Sequence, residues 1–203
     1  MPLQRKVSFA GPAGQLEGVL HLPTGTLRGI AVVAHPLPTM GGTMDNKVVT
    51  TLAKAFVDMD YAALRFNFRG VGDSVGKFDE GNGETLDAIA AAVYMRREFP
   101  DLPLLCAGFS FGGYVQARAA LELQPQQMVL VAPAIGRFAM PEVPADTLLI
   151  HGDLDELVGL NEVLRWARPQ HLAIVVLAGA GHFFHGRLTQ LGQTVLRHFG
   201  VLR

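Results

Sequence analysis

The stretch Leu105-Cys106-Ala107-Gly108-Phe109-Ser110-Phe111-Gly112-Gly113 sets a serine between two glycines, each two positions away. A run of apolar residues precedes it and a helical pattern follows. A serine on a sharp strand-to-helix turn has strained backbone angles, and bulky side chains two positions away would collide there. Gly108 and Gly112 remove those side chains. The N-terminus of the following helix then aims backbone N–H groups at any negative charge developing beside the hydroxyl. The chemistry this favours is nucleophilic attack by Ser110 on an acyl carbonyl. Only two other serines occur, Ser8 and Ser74. The plainer alternative is a glycine-rich turn that lets a helix pack closely on a sheet.

A serine hydroxyl needs a base, and the base needs an orienting acid. Two later loops offer them. His151-Gly152-Asp153-Leu154-Asp155-Glu156 carries three carboxylates, and Ala178-Gly179-Ala180-Gly181-His182-Phe183-Phe184 carries a histidine behind small residues. His182 is the expected base, with His185 its rival; His171 and His198 read as surface residues and His21 lies on an early strand. Asp155 is the expected acid. Asp153 follows Gly152 directly and reads as a turn cap acting through its own backbone, and Glu156 is the third candidate. Asp73 reads as a turn residue.

Attack on a carbonyl produces an oxyanion, which needs two aimed N–H donors. The backbone N–H of Phe111 is one. The other falls in His35-Pro36-Leu37-Pro38-Thr39-Met40-Gly41-Gly42. Proline has no N–H, so Leu37 is the expected donor, with Thr39 or Met40 as substitutes. His35 reads as a residue that orders this loop through hydrogen bonds.

These groups need a scaffold that brings distant loops together. Residues 6–9 and 16–22 read as two strands around the turn signal Gly11-Pro12-Ala13-Gly14. Short continuous apolar runs at 30–34, 62–66, 104–107, 128–132, 147–150 and 173–177 suit strands buried on both faces. Helical spacing falls between them, at 48–59, 88–97, 111–123 and 188–199. Alternating strand and helix predicts an α/β fold with a mostly parallel sheet and helices on both faces, the opening hairpin extending one edge. No linker or charge block divides the chain, so one domain is expected over 1–203. In such sheets, function gathers in loops beyond the carboxyl ends of the strands. Those loops begin at His35, Asn67, Gly108, Pro133, His151 and Ala178.

Composition narrows the partners. The chain is 49% hydrophobic and 17% charged, which suits a packed core rather than a disordered segment. Seventeen Lys+Arg against eighteen Asp+Glu gives a net charge of −1, so nucleic acid held by a broad basic field is not expected. A single cysteine, Cys106, excludes an intrachain disulfide and a cysteine-based metal site, and it reads as core packing. No signal-peptide pattern or membrane span is evident. The expectations are a cytoplasmic protein, no cofactor, no metal, a small-molecule acyl ester as substrate, and room for a homodimer.

Taken together, Gly108-Phe109-Ser110-Phe111-Gly112-Gly113, His151-Gly152-Asp153-Leu154-Asp155 and Gly179-Ala180-Gly181-His182-Phe183-Phe184 resemble the α/β-hydrolase superfamily over nearly the whole chain. The stretches from His35 to Val49 and from Leu64 to Ser74 narrow the resemblance to a group of small bacterial serine hydrolases similar to the dienelactone hydrolase branch. That branch uses a cysteine nucleophile where this chain has Ser110. The resemblance implies eight strands with the second antiparallel, a triad of Ser110, Asp155 and His182, and hydrolysis of an ester or related acyl bond. Many relatives insert a helical lid after the strand ending near Ala132. Here only residues 133–145 are available, too few for a lid domain, so an open, shallow site is expected. Met40, Phe183 and Phe138 are candidate substrate contacts, and Leu37, Phe111, Ile135 and Phe184 are further apolar candidates. Thioesterase, amidase or acyltransferase chemistry on the same triad, and a non-catalytic binding module, remain the alternatives. A metal-dependent hydrolase ranks last for want of a ligand set.

Overall fold

In the computed structural model, which describes residues 3–202, the short apolar runs form the inner strands of a single sheet. Eight strands run β1 (Leu3–Gly11), β2 (Gly14–Leu22), β3 (Gly29–Ala34), β4 (Tyr61–Phe66), β5 (Leu104–Phe109), β6 (Gln127–Val131), β7 (Leu148–Gly152) and β8 (Ile174–Leu177). Their spatial order is β1-β2-β4-β3-β5-β6-β7-β8. β2 pairs antiparallel with both β1 and β4, and every later pairing is parallel.

Side-chain alternation explains why β3 and β5, at the centre of the sheet, are apolar throughout. Ile30, Val32 and Ala34 of β3 face one core with Leu104 and Cys106 of β5. Ala31 and Val33 face the other, with Leu105, Ala107 and Phe109. Helices α2 (Asn82–Glu98) and α3 (Phe111–Leu123) cover the first core, and α1 (Lys47–Asp58) and α5 (Leu188–His198) cover the second. In α1, Val48, Val49, Leu52, Ala55 and Phe56 are buried, and the Asn46 side chain caps its start by accepting from the Val48 N–H at 2.9 Å.

Two elements differ from the sequence expectation. α2 begins at Asn82 rather than near residue 88. Its opening Gly-Asn-Gly is poor helix former. The buried Glu84 carboxylate compensates by accepting from the N–H groups of Gly81 at 2.8 Å and Asp79 at 2.9 Å. A further helix, α4 (Leu160–Ala167), has no counterpart in the sequence reading. It spans eight residues and buries Val163 and Ala167; Leu160, Val163, Leu164 and Ala167 fall at i, i+3, i+4 and i+7, a helical spacing confined to two turns. Between β6 and β7 no helix intervenes, so the β5–α3 turn carries no lid domain.

Candidate active site

β5 ends at Phe109, α3 starts at Phe111, and Ser110 alone makes the turn. Its φ of 55° and ψ of −117° are strained for a residue with a side chain. The glycines are there for close approach. A Cβ on Gly108 would strike the Gly112 carbonyl, and a Cβ on Gly112 would strike the Ala34 and His35 carbonyls. The Ser110 N–H donates to Val131 O at 3.0 Å, and its own carbonyl accepts from Gly113 and Ala134. The turn is therefore held on both sides through its backbone, and Oγ makes no hydrogen bond to the helix it precedes.

His182 Nε2 lies 2.9 Å from Ser110 Oγ, and His182 Nδ1 lies 2.7 Å from Asp155 Oδ2. A carboxylate only accepts, so Nδ1 carries the imidazole proton and Nε2 is left to accept from the serine. Asp155 Oδ1 accepts from the N–H groups of Leu157 at 2.9 Å and Val158 at 2.8 Å. Asp155 and His182 are both buried, at 8% and 3% exposure. Burial alone would raise the Asp155 carboxyl. The hydrogen bond from His182, the Val158 N–H, the His182 charge and the Leu157 N–H more than offset it, and the net shift is below the usual carboxylate value.

The rivals fall elsewhere. His185 is exposed beside Phe183. Asp153 does not cap its own turn. Its Oδ1 accepts from Gly179 N–H at 2.6 Å, which ties the acid loop to the histidine loop. A second tie is Leu154 N–H to Ala180 O at 3.0 Å. Ser74 is buried, with its hydroxyl donating to Asn67 O at 2.7 Å. Cys106 is fully buried, and burial pushes its thiol up to about 12.

The donor loop after β3 is built around His35, which has no exposed surface. Its Nδ1–H donates to Pro36 O at 2.6 Å, and its Nε2 accepts from Phe68 N–H at 3.1 Å. Burial pushes its pKa down to about 4, against the opposing pull of the Pro36 carbonyl. The Met40 N–H is committed to Leu37 O at 3.1 Å, which removes Met40 as a substitute oxyanion donor. Phe111 is the first residue of α3, so its N–H has no intrahelical acceptor.

Among the apolar candidates, Met40 and Phe183 are exposed, at 75% and 41%. Phe138 is half-buried, stacked on Tyr114 with ring centroids 4.7 Å apart. Leu37, Phe111, Ile135 and Phe184 sit in the two cores instead, as packing rather than lining. Prominent surface clefts, including one of about 730 Å³ between β1, β2 and the loops at Thr43 and Gly72, are lined by other residues than Ser110.

One residue beside the acid escaped the sequence reading. His151, fully buried at the end of β7, has Nε2 2.8 Å from Val158 O and 3.6 Å from Asp155 Oδ2. The available signal was a histidine four residues before the acid at a strand end.

A family model described as serine aminopeptidase, S33, matches residues 28–145, more than half of the chain. Among solved structures, a Xanthomonas campestris protein described as an α/β serine hydrolase without lid is 39% identical. It superposes with a TM-score of 0.93 over 96% of this chain and 93% of that one. An α/β serine hydrolase homologue from Coxiella burnetii is 36% identical, with a TM-score of 0.88 over 97% of each chain. An uncharacterized protein of Rickettsia prowazekii is 33% identical over 214 residues, covering 94% of this chain and 86% of that protein.

Proposed function

The chain belongs to the α/β-hydrolase superfamily, matching the serine aminopeptidase (S33) family model within it, and on that premise we propose that it is a serine esterase acting on small or medium acyl esters. The observation that carries the proposal is the unbroken hydrogen-bonded line from Asp155 through His182 to Ser110 Oγ. In this reading the whole chain works as one domain, because the sheet that carries these loops takes its strands from residue 3 to residue 177.

The chemistry follows from the proton positions. Ser110 Oγ attacks the ester carbonyl carbon as its proton passes to His182 Nε2. Asp155, already ionised, stabilises the imidazolium without taking its proton. The carbonyl oxygen becomes an oxyanion held by the N–H groups of Leu37 and Phe111, an arrangement that contributes several kcal/mol. The tetrahedral species collapses, the C–O bond to the alcohol breaks, and the alcohol leaves with the proton from His182. Water then repeats the sequence on the acyl-serine and releases the acid.

Met40 and Phe183, both exposed, and the half-buried Phe138 are the proposed acyl contacts. Peptide-bond cleavage is the second reading, favoured by the description of the matching family. An open site offers few remote contacts with which to lower the higher barrier of an amide, so the ester is preferred.

A panel of p-nitrophenyl esters, acyl-CoA thioesters and aminoacyl p-nitroanilides, run with wild type and Ser110→Ala, is the test. Ester turnover that disappears in Ser110→Ala supports the proposal. Turnover of the anilides alone overturns the ester assignment. A wild-type protein that turns over nothing and resists labelling by a fluorophosphonate overturns the catalytic reading as a whole.

A further inference from the structure

Asp155 is flanked by two imidazoles, and the mechanism above uses only His182. We propose that His151 is a positioning residue for Asp155: it fixes the acid loop through the Val158 carbonyl while remaining uncharged. The proposal rests on the esterase reading and names a further component of the same site.

A carbonyl only accepts, so the 2.8 Å contact to Val158 O puts the His151 proton on Nε2. Val158 in turn gives its own N–H to Asp155 Oδ1 at 2.8 Å, and Leu157 adds a second N–H at 2.9 Å. One residue therefore links the two side chains, through the peptide groups on either side of its Cα. His151 holds residue 158 by its oxygen, and residue 158 holds Asp155 by its nitrogen. With Oδ1 fixed from that side, Oδ2 can turn only toward His182 Nδ1, 2.7 Å away. The 3.6 Å separation between His151 Nε2 and Asp155 Oδ2 exceeds a hydrogen bond, so the imidazole steers the acid through the loop rather than competing for it.

His151 Nδ1 is buried and has no partner among the described residues. A second proton there would lack an acceptor. The charged groups facing the ring are Asp155, across the loop, and His182, from the loop after β8. Burial, with the His182 charge in the same sense, keeps the ring below the usual imidazole range against the Val158 carbonyl and Asp155. That neutrality matters at one moment. When His182 takes the serine proton, a second cation beside Asp155 would oppose it, and a neutral ring does not.

Three variants test this in the full-length protein. His151→Leu removes the N–H donor. His151→Gln returns an N–H close to the Nε2 position. His151→Asn is polar but too short to reach Val158 O. The readouts are the fluorophosphonate labelling rate of Ser110, kcat and KM on p-nitrophenyl acetate, and the urea midpoint. A displaced acid lowers labelling and kcat by about 10²-fold in Leu and Asn, with KM within about twofold, and Gln recovers to within about tenfold. A Leu variant that labels at the wild-type rate overturns the proposal. So do Gln and Asn variants with equal rates, which is the comparison that stands if Leu fails to fold. A wild type that neither labels nor turns over overturns the esterase reading and takes this proposal with it. An active wild type beside an unimpaired Leu variant overturns this proposal alone.

Discussion

His35 makes the protein sensitive to mild acid, and the size of the effect follows from its environment. The ring is fully buried, donates from Nδ1 to Pro36 O and accepts at Nε2 from Phe68 N–H. Protonating Nε2 would set two N–H groups against each other. The folded pKa is about 4, against 6.5 for the free side chain. The unfolded chain therefore takes up this proton first as pH falls. The contribution to stability is complete above pH 6.5, declines between 6.5 and 4, and is exhausted below. The full gap corresponds to about 3 kcal/mol, of which about 2 kcal/mol is already lost at pH 5.0. His35→Gln keeps an acceptor for Phe68 but has nothing to titrate. Urea unfolding at pH 7.0 and pH 5.0, followed by fluorescence of Trp166, the sole tryptophan, measures both proteins. At pH 7.0 the variant is less stable, having lost the bond to Pro36. Between pH 7.0 and 5.0 wild type should lose about 2 kcal/mol more than the variant, so the two curves converge. A difference that stays constant within about 0.5 kcal/mol across that interval refutes the buried, neutral assignment. The outcome bears on the site, because the same ring holds the loop carrying Leu37.

Ser110→Ala and His182→Ala should each lower kcat by about 10⁶-fold, and Asp155→Asn by about 10⁴-fold, with urea midpoints measured alongside to separate chemistry from folding. Gly108→Ala should abolish fluorophosphonate labelling, since its methyl meets the Gly112 carbonyl and displaces the turn. Phe56→Ala empties a fully buried position under the sheet and should cost about 3–5 kcal/mol in urea unfolding, with KM unchanged. Phe183→Ala and Met40→Ala should raise KM for p-nitrophenyl octanoate more than for the acetate; equal effects on both esters would remove them as acyl contacts.

The amino-acid sequence by itself determined the alternation of elements and the order of the reactive groups. Apolar runs such as 30–34 and 104–107 announce strands because a strand covered on both faces buries every side chain, and a polar exception such as Arg65 or His151 needs a hydrogen-bond partner. The spacing of Gly108, Ser110 and Gly112 announces the turn because only hydrogen fits where the backbones of residues 108 and 112 meet. The segment at 160–167 carries helical spacing at Leu160, Val163, Leu164 and Ala167, but over two turns only, and which of these residues are buried is set by tertiary packing. The start of α2 stayed hidden because a glutamate carboxylate, rather than local propensity, holds its first turn. Only the tertiary structure decided which carboxylate meets His182. Asp153 and Asp155 are two residues apart with the same chemistry, and they separate because Asp153 is taken by the Gly179 N–H while loop residues 157 and 158 turn Asp155 toward the imidazole. It also decided that Phe111 and Phe184 pack inward while Phe183 stays exposed, and that His151 stands behind the acid. Such choices depend on which backbone groups other loops leave unpaired, and that is fixed by contacts between residues far apart in the chain.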